Sequence, residues 1–486
     1  MTGITAYGAY IPRRRLQRKA VAEANAWFAP GLAGGAKGER AMANWDEDSV
    51  TMAVEAGRDC LPAADPLKDR SNIDALYFAS TTMPFADRQN AGIVSAALGL
   101  SQNISSFDIA GSQRAGLSAL IAALDGVRAG RTKSALLVGG ERRRARAASP
   151  QELAYGDAAA AVALGETNVI AKFIASHSVT IDFVDHFRGE GEEFDYGWEE
   201  RWVRDEGFTK IVPATVRALL EKTGISAASI AHFILPCPFA KLDQTIAKMC
   251  GIDSARVRDN LAANLGDSGA AHALLMLVYT LEVAKPGELI LVAQFGQGCD
   301  ALLFEVTSAI TAHCERKGVT GFLLRRKEET NYLKYLAFNS LLTLEKGMRA
   351  EIDKRTALSV LHRKNDMLLG LVGGKCKVCG TAQFPRARIC VNPNCKAVDS
   401  QEPYGFSERM GTVLSWSADF LTFAMEPPNH YGIITFRDGG RLMADITDVE
   451  AGQIDTGAEM RMVFRVKDVD EKRGFKRYFW KAAPVS

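Results

Sequence analysis

The stretch that decides the fold covers residues 106–120 and reads SFDIAGSQRAGLSAL. It combines the end of a strand, a glycine turn and a helix that starts among small residues. An elbow of this kind lifts one side chain into a cleft, and the helix N-terminus offers backbone N–H groups to a developing negative charge. Enzymes that activate acyl groups place a nucleophilic cysteine in such a position. Here the residue is Gln113, so the stretch predicts a site of this kind without its usual nucleophile.

Strands and helices alternate on both sides of the elbow. Apolar strands are predicted at residues 4–10, 73–79, 134–139, 158–164, 170–178, 232–236, 288–294 and 301–306. Helices are predicted at residues 46–62, from the elbow to 129, at 210–222, at 242–250 and up to 283. Strands that are apolar throughout indicate a mixed or parallel sheet covered on both faces, which is an α/β fold. The order of elements in residues 1–166 is repeated in residues 167–316, which suggests an internal duplication.

The last third of the chain has a different character. Residues 317–370 are rich in charge, and the spacing of tyrosines and leucines over 325–349 predicts a helical linker. A cysteine knuckle follows at residues 371–402. Residues 403–486 predict a small β-barrel, because Gly, Pro and Asp turns separate five short β-rich runs at 411–416, 431–436, 441–446, 459–466 and 477–481.

Four cysteines in the knuckle have the spacing of a metal site. Cys376 and Cys379 form one pair, and Cys390 and Cys395 form a second pair with four residues between them, where two are usual. Four thiolates satisfy tetrahedral Zn²⁺ and leave no open position, so the predicted role of the zinc is structural. Iron, or loss of the metal, is the alternative.

Composition narrows the possible partners. The formal net charge of +2 over 486 residues gives no reason to expect nucleic acid or an anionic membrane. A barrel can bind single-stranded nucleic acid, but this tail lacks a basic stripe interleaved with aromatics. The N-terminus shows no secretory signal pattern, and the remaining cysteines are scattered as free thiols are in cytoplasmic proteins, at Cys60, Cys237, Cys250, Cys299 and Cys314.

Several segments, in order, resemble the thiolase superfamily over roughly residues 1–310, and most closely 3-hydroxy-3-methylglutaryl-CoA synthase of the archaeal type. They are ITAYGAYIP at 4–12, DEDSVTMAVEA at 46–56, YGDAAA at 155–160, which ketoacyl synthase III shares, and the closing turn FGQG at 295–298. The resemblance implies a duplicated, layered α/β/α/β/α fold that acts on coenzyme A thioesters. The tail resembles small proteins that pair a rubredoxin-like zinc ribbon with an OB-fold and accompany thiolase-type acyltransferases.

The same resemblance implies an altered active site. The family's nucleophilic cysteine falls on Gln113, its general-base glutamate on Thr81, its histidine on Pro236, and its asparagine on Asp267, or on Asn264 with a different gap. A glutamine cannot form a thioester, which excludes acyl transfer through residue 113. Its amide can still donate hydrogen bonds, and ketosynthases with glutamine at this position decarboxylate malonyl groups without an acyl-enzyme. Gln113 and the helix N-terminus are therefore predicted to stabilise an enolate, unless Gln113 only fills space.

Other residues are candidates for the missing roles, each with a structural alternative. Cys237 is either an acid or nucleophile or a buried thiol, Asp267 is either a base or a helix cap, and His186 is either the surviving base or a structural histidine. His272 is taken as structural. Arg142 and Arg143 are candidates to attract CoA phosphates, or they belong to a solvated basic turn. Gly296 and Gly298, in the closing turn, are assigned to the cofactor by resemblance.

Two functions follow from these expectations. The first is an acyl-CoA enzyme that acts on a C–C bond next to a thioester by retro-aldol, decarboxylative or Claisen-type chemistry. The second is a catalytically depleted scaffold whose OB-fold docks a separate, cysteine-bearing thiolase and channels acyl groups to it. The superfamily implies a homodimer or a larger assembly in either case.

Overall fold

The computed structural model describes residues 1–312 and 316–485, so that Cys314 lies outside the described residues. Its strands are β1 Gly3–Tyr10, β2 Arg14–Gln17, β3 Glu39–Met42, β4 Ala75–Ala79, β5 Ser105–Ile109, β6 Ala135–Glu141, β7 Ala158–Gly165, β8 Ala171–Thr180, β9 His186–Phe187, β10 Tyr196–Gly197, β11 Ile230–Ile234, β12 Leu289–Phe295, β13 Gly298–Val306, β14 Lys327–Glu329, β15 Val372–Cys376, β16 Ala382–Gln383, β17 Gln401–Gly405, β18 Gly411–Asp419, β19 Asn429–Phe436, β20 Arg441–Asp445, β21 Glu459–Asp470 and β22 Phe475–Pro484. Its α-helices are α1 Arg18–Ala24, α2 Ser49–Cys60, α3 Pro66–Asp69, α4 Asn90–Leu98, α5 Ala115–Arg128, α6 Pro150–Ala154, α7 Glu200–Trp202, α8 Thr209–Thr223, α9 Leu242–Met249, α10 His272–Leu281, α11 Gly318–Leu324, α12 Tyr332–Phe338, α13 Leu358–Arg363 and α14 Asn365–Leu368.

The main sheet has nine strands in the order β11-β12-β13-β8-β1-β7-β6-β4-β5. Pairing is parallel between β4 and its two neighbours and between β11 and β12, and antiparallel elsewhere, so the sheet is mixed. The two halves meet through two residue pairs between β1 and β8. In the first half the strands lie in the order β5-β4-β6-β7-β1, and in the second half β11, β12, β13 and β8 take the places of β4, β6, β7 and β1, with no counterpart of β5 in the sheet. The repeated order confirms the predicted duplication of the fold.

Two helices pack between the strands of the first half of the sheet and the strands of the second half, and they contact both. Helix α5 contacts β4, β6 and β7 of the first half and β13 of the second, and α10 contacts β1 and β7 as well as β11 and β12. Helix α2 packs outside the first half and α8 outside the second. The result is the layered α/β/α/β/α arrangement expected from the resemblance. Strands such as β4, ALYFA, are buried at every residue because helices cover both faces.

The linker is only partly helical, which corrects the prediction of a helix over 325–349. The α-helix of this region is confined to α12, and Lys327–Glu329 forms strand β14, which pairs in parallel with β2. Several charged side chains of the linker form ion pairs with residues in other parts of the protein. Arg326 pairs with Glu39 and Lys334 with Glu426, at 2.5 and 2.6 Å. These long-range ion pairs outweigh the local helical pattern.

A three-stranded ribbon and a five-stranded barrel complete the chain. The ribbon has the order β16-β15-β17, and the barrel sheet has the order β20-β19-β18-β21-β22. A bridge between Ile446 and Ala482 brings the two edges of the barrel sheet together. All five predicted β-rich runs are strands of this sheet. Within the described residues, no helix is long and apolar enough to cross a membrane.

The barrel docks on the protein's own α/β body through a buried charge cluster. Arg465 of β21 is fully buried and lies 3.1 Å from Glu47, 3.2 Å from Asp448 and 3.7 Å from Asp46. Its guanidinium also donates to the Tyr10 hydroxyl at 3.1 Å. Three carboxylates therefore surround one arginine at the junction of body and barrel.

A second set of contacts lines helix α2. Asp48, the N-cap of this helix, accepts hydrogen bonds from Tyr478 at 2.8 Å and from Lys476 at 3.3 Å. At the other end of the helix, Arg58 binds Glu408 at 3.0 Å. The barrel thus covers the outer face of α2 over its whole length.

Acid is expected to weaken this docking through Glu55 of helix α2. Burial raises the pKa of Glu55, but the arginines Arg58 and Arg461 outweigh it, and the pKa falls from 4.5 to about 2. This stabilisation is present above pH 4.5 and is lost as the pH falls towards 2. Glu55→Gln is expected to lose about 1.5–3 kcal/mol at pH 7 and to flatten the fall in stability between pH 5 and pH 3. Urea unfolding at several pH values measures both effects.

The control for this test is Glu471→Gln, because Glu471 is 74% exposed. This variant should match the unchanged protein at each pH. Burial raises the pKa of Glu47, so this residue makes the protein more stable in acid, opposite to Glu55. The difference in stability between Glu55→Gln and the unchanged protein at each pH is therefore the quantity to compare. An unaltered pH dependence in Glu55→Gln would show that this carboxylate does not hold the barrel.

Candidate functional site

The elbow is formed as the sequence predicts. Strand β5 ends at Ile109, Gly111 turns the chain with φ of +87°, and α5 begins at Ala115. Gln113 therefore stands at the N-terminus of α5, where backbone N–H groups point away from the helix. Its own main-chain N–H has no acceptor among the described residues, while its carbonyl accepts a 2.7 Å hydrogen bond from Gln294. The elbow presents one main-chain donor and one amide side chain.

The Gln113 side chain meets His186, which the sequence places 73 residues away. The Gln113 Nε2 atom lies 3.1 Å from His186 Nε2, and His186 Nδ1 lies 2.8 Å from Asp185 Oδ2. A carboxylate only accepts, so Nδ1 carries a proton. Nε2 of the neutral ring then accepts from the Gln113 amide. Asp185, His186 and Gln113 form a single hydrogen-bonded chain that the structure brings together.

The carbonyl end of the Gln113 amide lies against Gly269. Its Oε1 atom is buried and has no hydrogen-bond partner in the described part of the chain. A Cβ added to Gly269 would come within 2.4 Å of that oxygen, and the φ of +53° at this residue also favours glycine. An amide that reverses its two ends can also accept from a protonated His186. Gln113 can therefore bind either protonation state of this histidine.

Residues 185–208 form an insertion after β8 that is rich in acidic and aromatic residues and carries His186. Asp195 holds this insertion against the body. This carboxylate binds Arg143 at 3.1 Å, Arg188 at 2.9 Å and the Tyr155 hydroxyl at 3.0 Å. Burial raises the pKa of Asp195, but Arg143 and Arg188 outweigh it, and the net shift is downward. An ionised Asp195 thus ties the insertion to the segment after β6.

Asp267 lies in the same network and keeps a negative charge. It accepts 2.8 Å hydrogen bonds from Arg143 and from the main-chain N–H of Gly269. Burial raises the pKa of Asp267, but Arg143 outweighs it and the net shift is downward. The carboxylate caps the Gly269–Ala271 turn and balances Arg143. Asn264, the other position considered for this role, is exposed.

Thr81 is joined to a carboxylate that sequence reasoning missed. Its N–H and hydroxyl donate to Glu141 at 2.6 and 2.9 Å, and Thr82 donates to the other carboxylate oxygen at 2.6 Å. Burial raises the pKa of Glu141. The hydrogen bonds from both threonines lower it, but the net shift is upward. The Thr81 carbonyl accepts from Arg188 of the insertion. Glu141 ends an apolar strand, and nothing in the local sequence indicated its partner 60 residues away.

Two other candidates are held in the packed interior. Cys237 is 7% exposed, and burial raises the pKa of its thiol to about 12, which disfavours a reactive thiolate. Its neighbour Pro236 is half-buried. His272 bridges Ser268 and the Asn260 carbonyl, at 3.0 and 2.8 Å, and burial lowers its pKa. Both ring nitrogens of His272 therefore have partners within the protein.

The predicted CoA-binding residues have other partners in the described structure. The Arg142 guanidinium donates to the carbonyls of Glu47 and Phe338, and the Arg143 guanidinium lies 3.5 Å from the centre of the Tyr155 ring. The turn of Gly296 and Gly298 packs against the elbow: a Cβ on Gly296 would lie 2.7 Å from the Ser112 hydroxyl. Binding of CoA by these residues stays a prediction.

The four cysteines of the ribbon meet as their spacing predicts. Their sulfur atoms all lie within 4.8 Å of one another, with Cys376 and Cys395 3.9 Å apart and Cys379 and Cys390 3.5 Å apart. Zn–S bonds of about 2.3 Å in a tetrahedron require sulfur separations of about 3.8 Å. The cluster is therefore able to hold a tetrahedral metal ion.

The layered fold and its elbow define a thiolase-like α/β protein. Solved structures agree: "HMG_CoA synthase complexed with CoA" has a TM-score of 0.60 at 19% identity, covering 73% of this chain and 93% of that one. An OleA variant of Xanthomonas campestris has a TM-score of 0.55 at 20% identity, covering 63% of this chain and 96% of that one.

The chain belongs to the hydroxymethylglutaryl-CoA synthase family. It is 30% identical to the hydroxymethylglutaryl-CoA synthase of Pyrobaculum aerophilum over 350 residues, which cover 70% of this chain and 98% of that one. Residues 406–465 match the family model described as "ChsH2, C-terminal OB-fold domain". The tail is thus an OB-fold domain joined to a synthase-like body.

Proposed function

We propose that this protein binds acyl-CoA thioesters and acts on the C–C bond beside the thioester by stabilising an enolate without a covalent intermediate. The observation that carries the proposal is the pair of donors at the elbow. The Gln113 main-chain N–H has no acceptor among the described residues, and its side-chain amide lies beside His186. Donors fixed at a helix N-terminus stabilise negative charge as it develops on a thioester oxygen.

Coenzyme A as the carrier is supported by the relatives. One solved structure of similar fold is titled as a complex with CoA and another as a complex with 3-hydroxy-3-methylglutaryl coenzyme A. We place the family's nucleophile at Gln113, whose amide cannot attack a carbonyl carbon. We therefore propose that the protein binds the thioester as its relatives do but forms no covalent acyl-enzyme.

The ribbon is proposed to hold structural Zn²⁺. Four thiolates at tetrahedral separations leave no position for a substrate or water, so the ion would hold Cys376, Cys379, Cys390 and Cys395 together and take no part in the reaction.

The body is proposed to form a homodimer. Strand β5 is an edge of the nine-stranded sheet, and Phe107 on it is 37% exposed. An open edge next to the elbow can pair with the same edge of a second copy.

The scaffold alternative is less well supported. It requires the OB-fold to dock a separate thiolase, but strands β21 and β22 already cover helix α2 of the same chain. A separate partner would have to use another face of the barrel.

Turnover by the purified protein tests the proposed function. A panel of malonyl-, acetoacetyl- and 3-hydroxyacyl-CoA thioesters is incubated with the protein, and CoA products are separated by chromatography. We expect one class to turn over, and Gln113→Ala to lower kcat/KM by about 10²–10³ because it removes a donor to the enolate. Gln102→Ala, an exposed glutamine, is the matched control. Cys237→Ser should also retain activity.

Two results would contradict the proposal. Full activity in Gln113→Ala would show that the Gln113 side chain takes no part in the reaction. If the protein alone gave no turnover but turnover appeared after a separate cysteine-bearing thiolase was added, the result would support the scaffold function.

A further inference from the structure

We infer that Asp185 and His186 supply the base that starts the reaction, and that the substrate is a 3-hydroxyacyl-CoA thioester cleaved between C2 and C3. This inference rests on the proposed function and names its substrate class and a positioning residue. The observation behind it is the hydrogen-bonded chain from Asp185 through His186 to Gln113.

The chain fixes which nitrogen of His186 is the basic one. Asp185 accepts from Nδ1 at 2.8 Å, so the lone pair of the neutral ring lies on Nε2. Nε2 points at the Gln113 amide 3.1 Å away. A substrate hydroxyl that replaces this contact would meet a base on one side and the enolate donors of the elbow on the other.

Among the three reaction types considered, one uses all of these groups. Claisen condensation needs an acyl group carried by a nucleophile, which an amide cannot provide. Decarboxylation generates an enolate by loss of CO₂ and has no proton for a base to remove. Cleavage of a 3-hydroxyacyl thioester needs a base at the hydroxyl and donors at the thioester oxygen. The elbow and the Asp185–His186 pair provide both.

The step balances without a cofactor. His186 Nε2 takes the proton of the 3-hydroxyl, the C3–O bond becomes a carbonyl, and the C2–C3 bond breaks with its electrons passing to C2. The enolate of the two-carbon thioester forms beside the Gln113 N–H groups. The proton on His186 returns to C2, which yields acetyl-CoA and an aldehyde or ketone. No oxidant or reductant is required.

The insertion positions His186 through residues that do not contact the substrate. Arg188, two residues after His186, donates to the Thr81 carbonyl and binds Asp195 at 2.9 Å. Asp195 in turn binds Arg143 of the body at 3.1 Å. His186 is therefore held through the contact of its Nδ1 atom with Asp185 and through the insertion that carries it.

The test uses the full-length protein with 3-hydroxy-3-phenylpropionyl-CoA, 3-hydroxybutyryl-CoA and malonyl-CoA. We expect the two hydroxyacyl thioesters to release acetyl-CoA and an aldehyde, trapped as its hydrazone. Asp185→Asn should lower kcat by about 10²–10⁴ with little change in KM, because an amide can stabilise the wrong ring tautomer. Asp185→Glu should recover part of the loss. Asp182→Asn, an exposed neighbour, is the control.

A ¹⁵N spectrum of the histidines separates positioning from folding. His186 should carry its proton on Nδ1 in the unchanged protein and shift towards the other tautomer in Asp185→Asn, while the remaining signals stay unchanged. Decarboxylation of malonyl-CoA at a rate that Asp185→Asn does not alter would overturn this inference and leave the proposed function standing. No turnover of any thioester would overturn both.

Discussion

Removal of the Zn²⁺ proposed for the four-cysteine cluster is expected to unfold the ribbon and to destabilise the barrel beside it. Structural zinc contributes about 10–16 kcal/mol of binding free energy in small domains, and that energy is folding energy because the four thiolates meet only in the folded ribbon. The ribbon packs directly on the barrel: Phe384 lies edge-on to Phe406 at 5.7 Å, and the Ala382 N–H donates to the Asp438 carbonyl at 3.2 Å. Loss of the ribbon would expose Phe406, which is now fully buried.

Metal analysis and thermal unfolding measure this effect. We expect one zinc per chain, a marked fall in Tm after chelation and recovery on adding Zn²⁺. Cys376→Ser should reproduce the loss, whereas Cys250→Ser, a buried thiol outside the cluster, should keep the metal. A metal-free protein with an unchanged Tm would refute a structural role.

Replacement of Arg465 is expected to have the next largest effect. Arg465→Met removes the guanidinium that pairs with Glu47 and Asp448, while Asp46 keeps its ion pair with Lys481 at 2.9 Å. Breaking a buried ion pair from one side costs about 3–5 kcal/mol, because the remaining charge is neither solvated nor paired. The unfolding midpoint in urea should fall accordingly, and limited proteolysis should release the barrel from the body.

Arg473→Met is the matched control. Arg473 is 53% exposed and pairs with Asp470 within one hairpin, so its loss should cost less than about 1 kcal/mol. Equal stability of Arg465→Met and Arg473→Met would mean that the buried cluster does not hold the two domains together.

The barrel and the elbow lie on opposite faces of the first half-sheet. On β6, a Cβ at Gly139 would meet Ala271 and Leu274 on the inner side, whereas a Cβ at Gly140 would meet Ser49 of helix α2 on the outer side. The barrel covers α2. The ring of Phe475 in the barrel also packs against the ring of Phe85, with 5.7 Å between ring centres, and Phe85 lies in the loop that contains Thr81. The OB-fold therefore supports the body from outside and reaches the site's edge through this loop.

The sequence by itself determined the duplicated α/β body, the four-cysteine ribbon and the five barrel strands. These are local properties: apolar strands between helices, a glycine elbow before small residues, and cysteine spacing are each read within one short segment. It also identified Gln113 and His186 as separate candidates.

Only the tertiary structure decided which groups meet. It joined His186 to Gln113, gave Thr81 the carboxylate of Glu141, and set the barrel on its own helix α2. It also divided the charged linker into short elements, because its side chains bind distant carboxylates. The physical reason is the same in each case: a contact between residues far apart in the chain depends on how the layers pack, and no periodicity within either segment carries that information.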